Sequence, residues 1–144
     1  MSALSPGSES GASWRQEEFD LWMRYANADY DLVQHLYFGD YYPKPLEIIC
    51  YHCQQAAEKA IKALFIRFDL PGGIPRKHDL SFLLNQLQQE APVSPRLRRM
   101  ADVLSVYGII ARYPNEVEID EARVRQALDF AESILQWAKS QAEA

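Results

Sequence analysis

Between Pro45 and Phe68 one apolar stripe runs unbroken through Leu46, Ile49, Cys50, Cys53, Ala57, Ala60, Leu64 and Phe68. Steps of three and four are the period of an α-helix, and a strand could not hold these side chains on one face. At about 1.5 Å per residue the segment would reach roughly 35 Å, enough for the spine of a helical bundle. Ala56, Ala57, Ala60 and Ala63 lie along it, small enough for a neighbouring helix to approach closely. Leu70-Pro71-Gly72-Gly73-Ile74-Pro75 then breaks the pattern, because neither Gly nor Pro propagates a helix.

The rest of the chain repeats the helical period. Phe19, Trp22, Met23, Ala26, Tyr30, Val33 and Tyr37 predict a helix from about Glu17 to Tyr37, closed by Gly39 and the Tyr41-Tyr42-Pro43-Lys44-Pro45 stretch. Leu80, Leu83, Leu84 and Leu87 mark a short helix, about Asp79 to Gln89, with Asp79 suited to cap it. Another runs from about Pro95 to Ala111, where Pro occupies a favourable first position and Pro114 lies beyond the end. From Val103 to Ile110 it is apolar nearly all round, which predicts burial on more than one side. The last helix, about Asp120 to Lys139, opens on an acidic turn that suits the helix dipole and carries Val124, Ala127, Leu128, Ala131, Ile134, Leu135 and Ala138. No segment alternates, so no sheet is expected. The predicted fold is all-α: an up-and-down four-helix bundle with one short extra connecting helix. It spans residues 14–141 and follows a flexible segment, residues 1–13, rich in Ser, Gly and Ala. A domain of this length buries enough surface to need neither disulfide nor metal.

Charge and composition narrow the function. With a formal charge of −5 the chain has no general attraction for a polyanion. No apolar run approaches the roughly 20 residues that span a bilayer. The N-terminus lacks the basic start and apolar core of a signal peptide, so a cytoplasmic setting with reduced cysteines is expected.

Three clusters invite a chemical reading. Cys50-Tyr51-His52-Cys53 has the spacing of a redox or metal pair, but it lies inside a helix with both thiols on the core stripe, and no second ligand pair follows. Core packing is the expected role, and no metal or cofactor is expected. On another face of the same helix His52, Gln55, Lys59 and Lys62 form a strip bordered by Ile48, Tyr51 and Ile66. Two readings stay open: a solvated face carrying a Glu58–Lys62 pair, or a surface for a protein partner or a second copy. Arg76-Lys77-His78-Asp79 stands at a loop-to-helix junction, where capping explains Asp79 but not His78. Arg112-Tyr113-Pro114 presents a guanidinium where an apolar helix ends. That arrangement suits the dipole, and equally a phosphate with a stacked base. No GxSxG serine, phosphate-cradling glycine loop or paired histidine ligands occur.

The string Tyr51-His52-Cys53-Gln54-Gln55-Ala56-Ala57-Glu58-Lys59-Ala60-Ile61-Lys62-Ala63-Leu64 resembles the second-helix signature of the HEPN domain family, small helical proteins of bacteria and archaea. Trp22, Ala26, Asp29 and Leu32 look like that family's first helix, His78-Asp79-Leu80 like its post-loop motif, and Arg112-Tyr113-Pro114 like the segment before its last helix. The resemblance covers about Phe19 to Lys139. It implies a helical bundle that forms homodimers, with many members encoded beside a minimal nucleotidyltransferase and a proposed role in nucleotide binding. Some branches are RNases of toxin–antitoxin or phage-defence systems, using an Arg followed a few residues later by a His. Here Arg112 is followed by Tyr113, Pro114, Asn115, Glu116, Val117, Glu118, Ile119 and Asp120, and the last histidine in the chain is His78. Without an imidazole downstream, the usual group for moving the 2′-hydroxyl proton is missing.

The expectation is therefore a non-catalytic, homodimeric binding module that takes a nucleotide, a partner nucleotidyltransferase, or both. Arg112, Tyr113, His78, Lys59, Lys62 and Gln55 are the candidate binding residues, and Ile48, Tyr51, His52 and Ile66 the candidate dimer residues. The alternatives are a ribonuclease with a non-standard site, and a dimer that only scaffolds or inhibits a partner enzyme.

Overall fold

The structure is a computed structural model and describes residues 9–110 and 118–144. Among the described residues five α-helices form a bundle: α1 (Glu9–Phe38), α2 (Leu46–Arg67), α3 (Leu80–Leu87), α4 (Pro95–Ile110) and α5 (Glu121–Glu143). Among the described residues there is no strand. The helix order is the one the periodicity predicts. α1 differs most, starting at Glu9 rather than near Glu17. An apolar stripe marks the packed part of a helix, and the helix itself runs on past it.

α2 is the spine and packs against each of the other four helices. Ile49, Cys50, Cys53, Ala56, Ala57, Ala60, Ile61, Ala63 and Leu64 are wholly buried, so its burial extends well beyond one stripe. The alanines make this arrangement sterically possible, since helices can close on several sides of a rod with short side chains. Val33, Leu83, Leu84, Leu104 and Ile134 bring the other four helices into the same core.

The ends are set locally. α2 stops where the Phe68 and Leu70 amides turn back to the Leu64 and Phe65 carbonyls, and Asp69 takes a positive φ of 50°. Gly72 and Gly73 follow at φ 84° and 71°, a region that other residues enter only with strain. Asp79 caps α3 by accepting from the Ser81 and Phe82 amides, and Asp120 caps α5 by accepting from Arg123. The Ser94 hydroxyl accepts from Leu97 at the start of α4.

One expectation holds only in part. α4 is covered by three helices but not all round, because Val106 and Ile109 are 42% and 56% exposed. Leu104 and Tyr107 face the core, where α4 meets α2, α3 and α5. Val106 and Ile109, three residues apart, share the outer side of the helix. An all-round apolar helix thus leaves an apolar rim in the open.

Candidate functional site

Beside that rim a cleft of about 370 Å³ opens between α2 and α4. α2 supplies Tyr51, Gln54 and Gln55, α4 supplies Ser105, Val106, Gly108 and Ile109, and the approach to α3 supplies His78 and Asp79. Gly108 permits the close fit. A Cβ there would lie 3.2–3.4 Å from the carboxamide atoms of Gln54, so any other residue would press on that amide. The Ser105 hydroxyl accepts from the Leu80 amide at 2.9 Å, which pins the start of α3 to α4 and holds His78 and Asp79 at the cleft.

Beneath the cleft lies a polar cluster built on the i, i+4 spacing of Gln54, Glu58 and Lys62. All three are buried, with Gln54 entirely inaccessible. Lys62 Nζ donates to Glu58 Oε2 at 2.9 Å, Gln54 Nε2 donates to Glu58 Oε1 at 2.8 Å, and His78 Nδ1 lies 3.0 Å from Glu58 Oε2. Burial alone pushes the Glu58 carboxyl up, but hydrogen bonds from Lys62, Gln54 and His78 outweigh it and hold Glu58 below its ordinary value. A carboxylate taken out of water in this way persists only because it is paired and saturated with donors.

A second cluster lies towards α1. Asp29 receives Lys59 Nζ on one oxygen and faces His52 Nδ1 at 3.2 Å with the other. It clamps α1 to α2.

These two clusters divide the strip read from the sequence. Gln55 and His78 line the cleft. Lys59 faces Asp29 on α1, and Lys62 is buried against Glu58, so neither lines it. The Glu58–Lys62 pair is present, but as an interior pair rather than on a solvated face. Of the residues offered for self-association, Ile48 is exposed, whereas Tyr51, His52 and Ile66 are partly covered. The strip is not one continuous open surface, because Glu58 and Lys62 sink into the bundle between its ends. Arg112 and Tyr113 lie outside the described residues. Gln54, Ser105, Val106, Gly108 and Ile109 are the cleft residues that pattern reading missed. Two signals were available: a glutamine at a core position of α2, and a glycine inside an apolar helix.

The Cys50 and Cys53 thiols are unpaired and wholly buried. Burial, with Glu47 nearby, pushes Cys50 up to about 12, and burial with Cys50 beside it pushes Cys53 up further. They pack as small apolar side chains.

The chain matches the HEPN domain family model over residues 19–141. Its fold is similar to the crystal structure of TT1696 from Thermus thermophilus, at a TM-score of 0.70 and 28% identity, covering 85% of this chain and 97% of that one. It is also similar to the crystal structure of ST0689, an archaeal HEPN homologue, at a TM-score of 0.67 and 25% identity, covering 86% of this chain and 97% of that one. No curated protein matches it.

Proposed function

The chain belongs to the HEPN domain family, and from that premise we propose that it is a non-catalytic, homodimeric binding module whose ligand site is the α2–α4 cleft. The ligand is a nucleotide, and the partner enzyme is a minimal nucleotidyltransferase in a toxin–antitoxin or defence-like setting. The observation that carries this reading is the cleft itself. It is concave and walled by apolar side chains, with a few polar groups converging from three elements, the general character of a small-molecule site. Gln54 and Gln55, which line it, belong to the stretch that resembles the family signature.

The histidines favour binding over cleavage. His52 is engaged by Asp29 beside α1, and His78 is engaged through Nδ1 by Glu58. Each therefore has a structural partner. The chain offers no imidazole downstream of Arg112 to complete the Arg–His pair of the family's nucleases.

A thermal-shift panel of nucleotides and short RNAs on the wild type, Arg112→Ala and Val106→Trp tests the proposal. Val106 is exposed on the cleft wall, so a tryptophan there would fill the cleft without entering the core. A concentration-dependent rise in Tm for one nucleotide, lost in Val106→Trp, supports the cleft. Loss in Arg112→Ala as well adds Arg112 to the site. RNA cleavage abolished by Arg112→Ala would replace the binding module with a nuclease. No shift with any ligand would leave a scaffold for a partner protein.

A further inference from the structure

Hydrogen-bond polarity runs in one direction from the buried ion pair to the wall of the cleft. The Lys62 ammonium can only donate, and an ionised Glu58 can only accept. The Gln54 terminus that faces Glu58 must therefore be its NH₂, which reaches Glu58 Oε1 at 2.8 Å and the His78 carbonyl at 3.3 Å. The carbonyl oxygen of Gln54 then points the other way and accepts from Gln55 Nε2 at 2.8 Å. Turning either amide over would set oxygen against oxygen, or the NH₂ groups against each other. The pair at Glu58 thus dictates the orientation of Gln55, two steps away. Gln55 is left with a carbonyl oxygen and one N–H that have no partner among the described residues.

The cleft also selects against negative charge. No Lys or Arg lines it among the described residues, Asp79 stands at its edge, and the Glu58 carboxylate lies below. Among the described residues a phosphate finds no cationic side chain there. A flat, uncharged ring finds apolar walls, between Tyr51 on α2 and Val106 and Ile109 on α4.

We infer that Gln55 reads the amino-donor and ring-nitrogen-acceptor edge of an adenine base in this cleft, with the sugar and phosphates lying outside it. A carboxamide with one free acceptor beside one free donor is the side-chain complement of that edge. The inference rests on the reading above that the cleft is the ligand site.

Isothermal titration of the full chain with adenosine and with purine riboside, which lacks the 6-amino donor, tests it without a variant. Adenosine binds about tenfold more tightly or better, the discrimination expected of a paired amide contact. In Gln55→Leu, which keeps the side chain's size, the ratio between the two nucleosides falls to about one, as loss of that contact requires. Equal binding of both by the wild type, with both weakened by Val106→Trp, would overturn the reading of the base edge and leave the cleft as the site. Binding of neither nucleoside would overturn the reading of the base edge, and the nucleotide panel above then decides whether the cleft is a ligand site at all.

Discussion

Glu58 is the residue on which the polar interior depends. Replacing it with Gln leaves Lys62 buried beside a neutral group, and breaking a buried pair from one side costs about 3 kcal/mol or more. Urea denaturation of Glu58→Gln is expected to show that loss. The double variant Glu58→Leu with Lys62→Met is expected to recover much of it, because no charge is then stranded. The pH dependence follows from the lowered Glu58 pKa. A carboxyl lowered in the folded state stabilises the fold above its unfolded value, about 4.5, and that stability is lost as the pH falls through the lower folded value. Wild-type stability should therefore drop more steeply than that of Glu58→Gln between about pH 4.5 and acid unfolding. Gly108 sets a different balance. Alanine in a helix gains up to about 1 kcal/mol over glycine, but its Cβ would press on Gln54, which is anchored by Glu58, His78 and Gln55. Gly108→Ala is expected to gain no net stability in the same measurement.

At the scale of elements, the short helix α3 depends on its ends. Eight residues are too few for a helix to persist alone. α3 persists because four leucines are buried, Asp79 caps two amides and Ser105 receives a third. Asp79→Ala is expected to cost about 1 kcal/mol of stability, and hydrogen exchange should show the start of α3 opening before α2 does. Leu84→Ala, at a fully buried site, is expected to cost about 2–5 kcal/mol. The difference between the two values separates the contribution of the cap from that of the core.

At the scale of the molecule, several exposed apolar side chains lie at the cleft and at or just before the start of α2. Val106 and Ile109 flank the cleft, Ile48 stands a turn before Tyr51 on α2, and Tyr41 and Tyr42 precede that helix. The proposed homodimer predicts a sedimentation coefficient of two copies at micromolar concentration. Ile48→Glu with Ile66→Glu is expected to yield a folded monomer, as a charge in a buried interface core is unfavourable. Retention of the dimer in that variant would move the interface elsewhere.

The sequence by itself determined that the chain is helical, where the helices lie and that α2 is the spine, because a stripe at steps of three and four can be satisfied only by a packed helix. The caps Asp79 and Asp120 were legible for the same reason, as their chemistry acts within a few residues along the chain. Periodicity does not say how far a neighbour covers a face, so it could not show that Lys62 is interior or that Val106 and Ile109 stand open. Nor could it separate Lys59, drawn to Asp29 thirty residues earlier, from Gln55 on the cleft wall. Those assignments depend on which groups meet across helices. Only the tertiary structure decided them, since the pairing of a buried charge is a contact in space with no period in the sequence.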